Sequence, residues 1–227
     1  MLRSLVGSEM CIRDRLEAYM IGIVMATMLE AASFIKTLEL LKESDTPFPI
    51  YNNDKVRLII GGIGKTNSAM ATAHFIEKYR PICICNTGAA GSTNNEYVLG
   101  ETYHIKKIVE PDRPDLKTGI PCEQIPHILS GFPLAVLSTR DAPVHDIEDR
   151  VNVSKMAGLA DMEGAAVNQV CSHFKTRCFL FKFVSDTPEH MSNREIIRNI
   201  KLYSNTFSEF FCISVMPRLL ELASCEL

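Results

Sequence analysis

The chain has 227 residues, with 24 Lys and Arg against 27 Asp and Glu, a net charge of −3 and 46% hydrophobic residues. That length suits one α/β domain with a sizeable core, and a balanced charge without a basic stripe argues against nucleic-acid and membrane-surface partners. Eight cysteines are scattered, several (Cys83, Cys85, Cys171, Cys178) inside apolar segments, as expected of reduced thiols in a cytoplasmic protein.

In chain order, residues Met1 to Tyr19 have neither a helix or strand period nor the apolar core of a signal peptide. They resemble translated sequencing-adapter sequence, so they read as a non-native or disordered extension and the domain is expected over residues 20–227. From Met20 strands and helices alternate. Ile21 to Ala26 is an apolar strand, Met28 to Lys42 has helical spacing, and Val56 to Ile60 is a second strand. Gly61-Gly62-Ile63-Gly64-Lys65 leads into a helix from Thr66 to Tyr79, which Pro81 ends. Ile82 to Asn86 is a third strand, followed by the turn Thr87-Gly88-Ala89-Ala90-Gly91 and a polar loop. Val98 to Val109 reads as a strand or hairpin, Glu110 to Pro126 as Pro-rich and irregular, and Leu134 to Ser138 as a strand. A helix over Glu148 to Met156, a short strand at Asp161 to Met162 and a helix from Ala165 to Phe174 come next. Cys178 to Val184 is a buried strand and Asn193 to about Leu222 one long amphipathic helix. The alternation predicts a single-domain three-layer α/β/α fold around a mostly parallel, mixed sheet.

Two features carry chemistry. The glycine clusters at Gly61–Lys65 and Thr87–Gly91 follow strands, where glycine permits close backbone approach and a helix start attracts anions. Neither is a dinucleotide fingerprint or a Walker A loop, and tight turns packing helix on sheet explain them equally well. The second feature is the pair of acidic blocks, Asp161-Met162-Glu163-Gly164 and Ser185-Asp186. Asp186 ends a buried strand, where open α/β sheets place ligands; an Asp before Thr-Pro is also a common helix cap. Cys83-Ile84-Cys85 does not make a metal site, because zinc needs four convergent ligands and no second pair lies nearby. No cofactor is expected.

Four blocks in order resemble the purine nucleoside phosphorylase/nucleosidase superfamily, and within it the 5′-methylthioadenosine/S-adenosylhomocysteine nucleosidases. They are Ile21-Gly22-Ile23-Val24-Met25-Ala26 with Glu30, Gly62-Ile63-Gly64-Lys65, Asn86-Thr87-Gly88-Ala89-Ala90-Gly91, and Asp161-Met162-Glu163-Gly164-Ala165-Ala166 with Ser185-Asp186. The resemblance implies cleavage of a purine nucleoside's N-glycosidic bond. By that likeness Asp186 donates a proton toward N7, Glu30 positions the attacking water, Glu163 binds the ribose hydroxyls and Met162 packs on the sugar. Ser185, Gly64, Ala89 and Val144 then belong to the substrate site. Taken alone, Glu30 reads as an exposed or capping helix residue.

Lys182 stands in an apolar strand where the nucleosidases commonly carry Arg, and it needs a partner such as Glu163 or the ribose. The other reading is an edge position with its amine in solvent. Three positions depart from the pattern: Ala89 replaces a Ser, Ser92 replaces a Gly, and Pro143 replaces the purine-stacking Phe. The substrate is therefore left open to a phosphorolytic or futalosine-type activity, and a non-catalytic nucleoside-binding protein is the rival from another class. The Gly-Ile-Gly-Lys form and the lack of an arginine beside it favour hydrolysis. Apolar faces around Phe75 and Phe210 suggest a surface for a homodimer, the assembly the resemblance implies.

Overall fold

Five consecutive apolar residues, Ile21–Met25, form strand β1, and all five are buried. That is the signature of a parallel strand covered on both faces. In the computed structural model, which describes residues 20–144 and 146–224, β1 pairs in parallel with β4 (Val56–Ile60) on one side and β5 (Cys83–Ser92) on the other. The stretch 1–19 lies outside the described residues. Beyond β4 the sheet continues antiparallel through β3 (Ile50–Asn52) to the edge strand β2 (Leu41–Ser44).

On its other side the sheet curls into a ring. β5 pairs in parallel with β10 (Arg177–Asp186), and β10 runs antiparallel to β6 (Thr102–Pro114). β6 lies parallel to β8 (Leu134–Thr139), β8 parallel to β9 (Leu159–Asp161), and β9 returns antiparallel to β5 through Gly91 and Ser92. A short strand β7 (Pro121–Gln124) hangs on β6.

Helices cover both faces. α1 (Met28–Thr37) packs on α5 (Asn193–Phe210), and α2 (Lys65–Tyr79) on α4 (Gly164–His173). Two buried layers result. One joins Phe75 and Ala71 of α2 to Ile84 and Leu180 of the sheet. The other joins Phe34 of α1 to Phe179, Phe181 and Phe183 of β10 and to Phe207 and Phe211. The three-layer α/β/α fold with a mixed sheet is therefore the one expected.

Several local expectations need correction. The first helix ends at Thr37, not Lys42: Glu39 takes φ 52, and the Leu40 amide bonds back to Ile35 at 2.9 Å. This helix stop usually uses glycine, so it was invisible in sequence, and Leu41 opens an edge strand instead. Thr87–Gly91 is not a turn. It is the second half of β5, held in register on β10. The segment read as irregular after Val109 holds the end of β6 and all of β7, with Pro111 and Pro114 accommodated where the register shifts. The C-terminal helix is interrupted by a π-helical stretch, Phe211–Val215, before α6 (Met216–Ser224). Pro217 explains it, since a proline lacks the amide and crowds the carbonyl four residues back. Phe75 is fully buried against Tyr79, with ring centroids 5.1 Å apart, so it offers no oligomer face.

Candidate active site

A cavity of about 400 Å³ opens at the C-terminal ends of β1, β5 and β10. Glu30, Glu163 and Asp186 all line it, from α1, the β9–α4 junction and the end of β10. Ala89, Met162, Ser185 and Val144 line it too, and Pro143 stands beside Val144. The lining also includes the apolar side chains of Leu29, Met191 and Ile197.

Glu30 sits in the first turn of α1, where Thr27 and Glu30 form a reciprocal cap. One carboxylate oxygen, Oε2, accepts from the Thr27 amide (3.1 Å) and hydroxyl (2.7 Å). The other, Oε1, accepts from the Ala89 amide on β5 at 2.9 Å. Glu30 is thus a cap as its position suggests, yet it is only 7% exposed and locked across to the sheet. Gly88 makes this possible: a Cβ there would lie 2.6 Å from Oε1.

Glu163 accepts from the Gly64 amide at 2.9 Å. The Gly-Ile-Gly-Lys block therefore directs its backbone N–H at a carboxylate of the protein itself. Burial pushes Glu163 up to about 7, with Asp161 adding to the rise and Lys182 and the Gly64 amide opposing it. Lys182 is buried in a central strand, not at an edge, and its Nζ pairs with Asp161 Oδ2 at 2.9 Å. Burial pulls its pKa down, but Asp161, Glu163 and Glu30 together hold it above the ordinary lysine value. Asp161 also accepts from Thr139 Oγ1 at 2.6 Å and from the Gly164 amide at 2.9 Å. Lys182 and Asp161 thus form a buried ion pair whose two charges act on Glu163 in opposite senses.

Asp186 accepts from Ser185 Oγ at 2.7 Å through Oδ1, and Oδ2 is paired with Arg150. Arg150 comes from α3 (Ile147–Ser154) and is 2% exposed. Sequence reasoning missed it, because an arginine within a short polar helix ordinarily faces solvent. It also missed Asn199, whose amide donates to the Ser185 carbonyl at 2.9 Å. Gly91 faces Asp186, and a Cβ there would stand 2.7 Å from Oδ2. In the Cys83-Ile84-Cys85 pair both thiols are buried, and burial pushes Cys83 up to about 12.

A wider groove of about 1120 Å³ lies elsewhere, beside α2, α4 and β6. Its Lys and Arg are both held by carboxylates: Lys65 meets Asp112 at 2.6 Å and Glu110 at 3.5 Å, and Arg113 meets Glu110 at 2.8 Å. Among the described residues no helix is long and apolar enough to cross a membrane.

Known proteins resemble this chain in sequence and in fold. A model of the Phosphorylase superfamily matches residues 20–127 and 132–215. An aminodeoxyfutalosine nucleosidase of Campylobacter jejuni is 26% identical over 61% of this chain and 71% of its own length. A 5′-methylthioadenosine/S-adenosylhomocysteine nucleosidase of Desulfotalea psychrophila is 27% identical, covering 73% of this chain and 83% of the relative. Among solved structures, a 5′-methylthioadenosine/S-adenosylhomocysteine nucleosidase of Colwellia psychrerythraea in complex with adenine superposes with a TM-score of 0.75 at 20% identity. It covers 88% of this chain and 96% of that one, a likeness that speaks to the fold. With the family model spanning most of the described residues and every strand of the ring, the chain belongs to the Phosphorylase superfamily.

Proposed function

We propose that this protein hydrolyses the N-glycosidic bond of a purine nucleoside of the 5′-methylthioadenosine/S-adenosylhomocysteine type and releases the free base. The observation that carries the reading is the convergence of Glu30, Glu163 and Asp186 on one cavity from three separate parts of the chain. Such a reaction passes through an oxocarbenium-like state and needs leaving-group protonation and a placed nucleophile. Asp186 gives its proton to the base as the C–N bond breaks and the electron pair leaves with the purine. A water held by Glu30 bonds to the sugar carbon and passes its proton to that carboxylate. Glu163 holds the ribose hydroxyls, Met162 packs on the sugar, and Ser185, Ala89 and Val144 border the substrate. Gly64 and Lys182 act on it through Glu163 and Asp161.

Water is favoured over phosphate as the acceptor by the lining of the cavity, which among the described residues contains neither Lys nor Arg. A phosphorylase needs a cationic cradle. Pro143 in place of an aromatic platform leaves a futalosine-type nucleoside as the second reading, in keeping with the Campylobacter relative's name. A cytoplasmic homodimer is the expected state, checked by sedimentation.

The deciding experiment incubates the protein with methylthioadenosine, S-adenosylhomocysteine, aminodeoxyfutalosine and adenosine, with and without phosphate, and follows free base by chromatography. Adenine release independent of phosphate is expected from the first two. Release only with phosphate would make the protein a phosphorylase. No release from any of them would leave a binding protein.

A further inference from the structure

Resting on the hydrolytic reading above, we propose that Arg150 is a positioning residue for Asp186. It holds the proton-donating carboxyl in place from outside the cavity and does not touch the substrate. Asp186 lines the cavity, whereas Arg150 is not among the residues that do. Its guanidinium reaches Asp186 Oδ2 with Nη2 and the Ser92 carbonyl, at the end of β5, with Nη1. Arg150 is thus a strut between the end of β5 and the end of β10, and charge-assisted bonds of this kind are directional as well as strong.

The other contacts on Asp186 complete the clamp. Ser185 Oγ donates to Oδ1 at 2.7 Å, and Asn199 fixes the Ser185 carbonyl at 2.9 Å. Gly91 admits the carboxyl so closely that a Cβ would stand 2.7 Å from Oδ2, so the side chain has little room to swing toward β5. Each carboxyl oxygen has about two acceptor sites, so one contact on each still leaves capacity for a proton shared with a bound base.

A purely stabilising role explains the arrangement poorly. Burying an ion pair is weak as a stability device, and apolar residues of similar volume often do as well. A fixed orientation of Asp186 is what the pair provides.

The test measures adenine release from methylthioadenosine by Arg150→Met, Arg150→Lys, Asp186→Asn and the double variant Arg150→Met/Asp186→Asn, with thermal melting alongside. A misplaced acid costs turnover and not substrate affinity, so Arg150→Met is expected to lower kcat about 100-fold with KM within about twofold. Arg150→Lys keeps the charge but not the fork, and should recover about tenfold of that loss. In the Asp186→Asn background, Arg150→Met should change the residual rate less than about twofold, because its effect passes through Asp186. Wild-type kcat in Arg150→Met overturns the proposal, as does a rise in KM with kcat unchanged, or losses that multiply in the double variant. If Arg150→Met does not fold, Arg150→Lys decides: a kcat about tenfold down at constant KM supports the role, and an unchanged kcat overturns it. A wild-type protein that releases no base fails in a different arm and overturns the hydrolytic reading together with this one.

Discussion

Asp186 and Glu163 are carboxylates of one cavity in different surroundings, and the proposed reading gives them different work. Asp186 has a guanidinium against one oxygen and a hydroxyl against the other. Its replacement by Asn should lower base release about 1000-fold, the span of one general acid. The Arg150 charge then loses its partner, so melting should also show a loss of about 3 kcal/mol. Glu163 has a folded pKa of about 7, above its ordinary 4.5. A carboxyl raised on folding contributes stability that is complete below about 4.5 and is lost as pH rises through about 7. That contribution approaches about 3 kcal/mol. Melting followed from pH 4.5 to 8 should therefore show the parent losing stability relative to Glu163→Gln, which cannot titrate. A wild-type nucleoside affinity that tightens as pH rises through 7, and becomes flat in Glu163→Gln, would show that the ionised form holds the ribose.

Among elements, β5 carries the most weight. It was legible as a strand only to Asn86, because Thr87–Gly91 has turn composition and its only apolar side chains, Ala89 and Ala90, are too small to mark a buried face. Pairing with β10 keeps it extended for ten residues, and its glycines are there because carboxylates press on the backbone. Gly88→Ala would put a methyl group 2.6 Å from Glu30 Oε1. Turnover should fall about 100-fold from displacement of Glu30, with melting only slightly changed; a rate within twofold of the parent would show that Glu30 can move without consequence. β10, by contrast, was readable almost end to end, since its apolar run is buried on both faces. The stop of α1 at Glu39 was not, because the left-handed position there is held by a glutamate where glycine is the usual signal.

At the scale of the molecule, two separate apolar layers hold the sheet between helices, and the site lies where strands of the ring end. Phe34 ties α1 to the C-terminal helices, with ring centroids 5.4 Å from Phe207 and 5.3 Å from Phe211. Phe34→Ala should cost about 3–5 kcal/mol in denaturant unfolding, and it should loosen Glu30, which rides on the same helix. By itself the sequence determined the α/β alternation and the two-sided burial of the central strands, because periodicity and apolar runs are local properties; the three carboxylates were singled out as a set only by the resemblance of four ordered blocks to a known superfamily. Only the tertiary structure decided what those carboxylates touch. Arg150 on Asp186, the Ala89 amide on Glu30 and the Gly64 amide on Glu163 join residues 36, 59 and 99 positions apart. Contacts at such separations leave no mark in a local pattern, since closing the ring of strands is what brings them together.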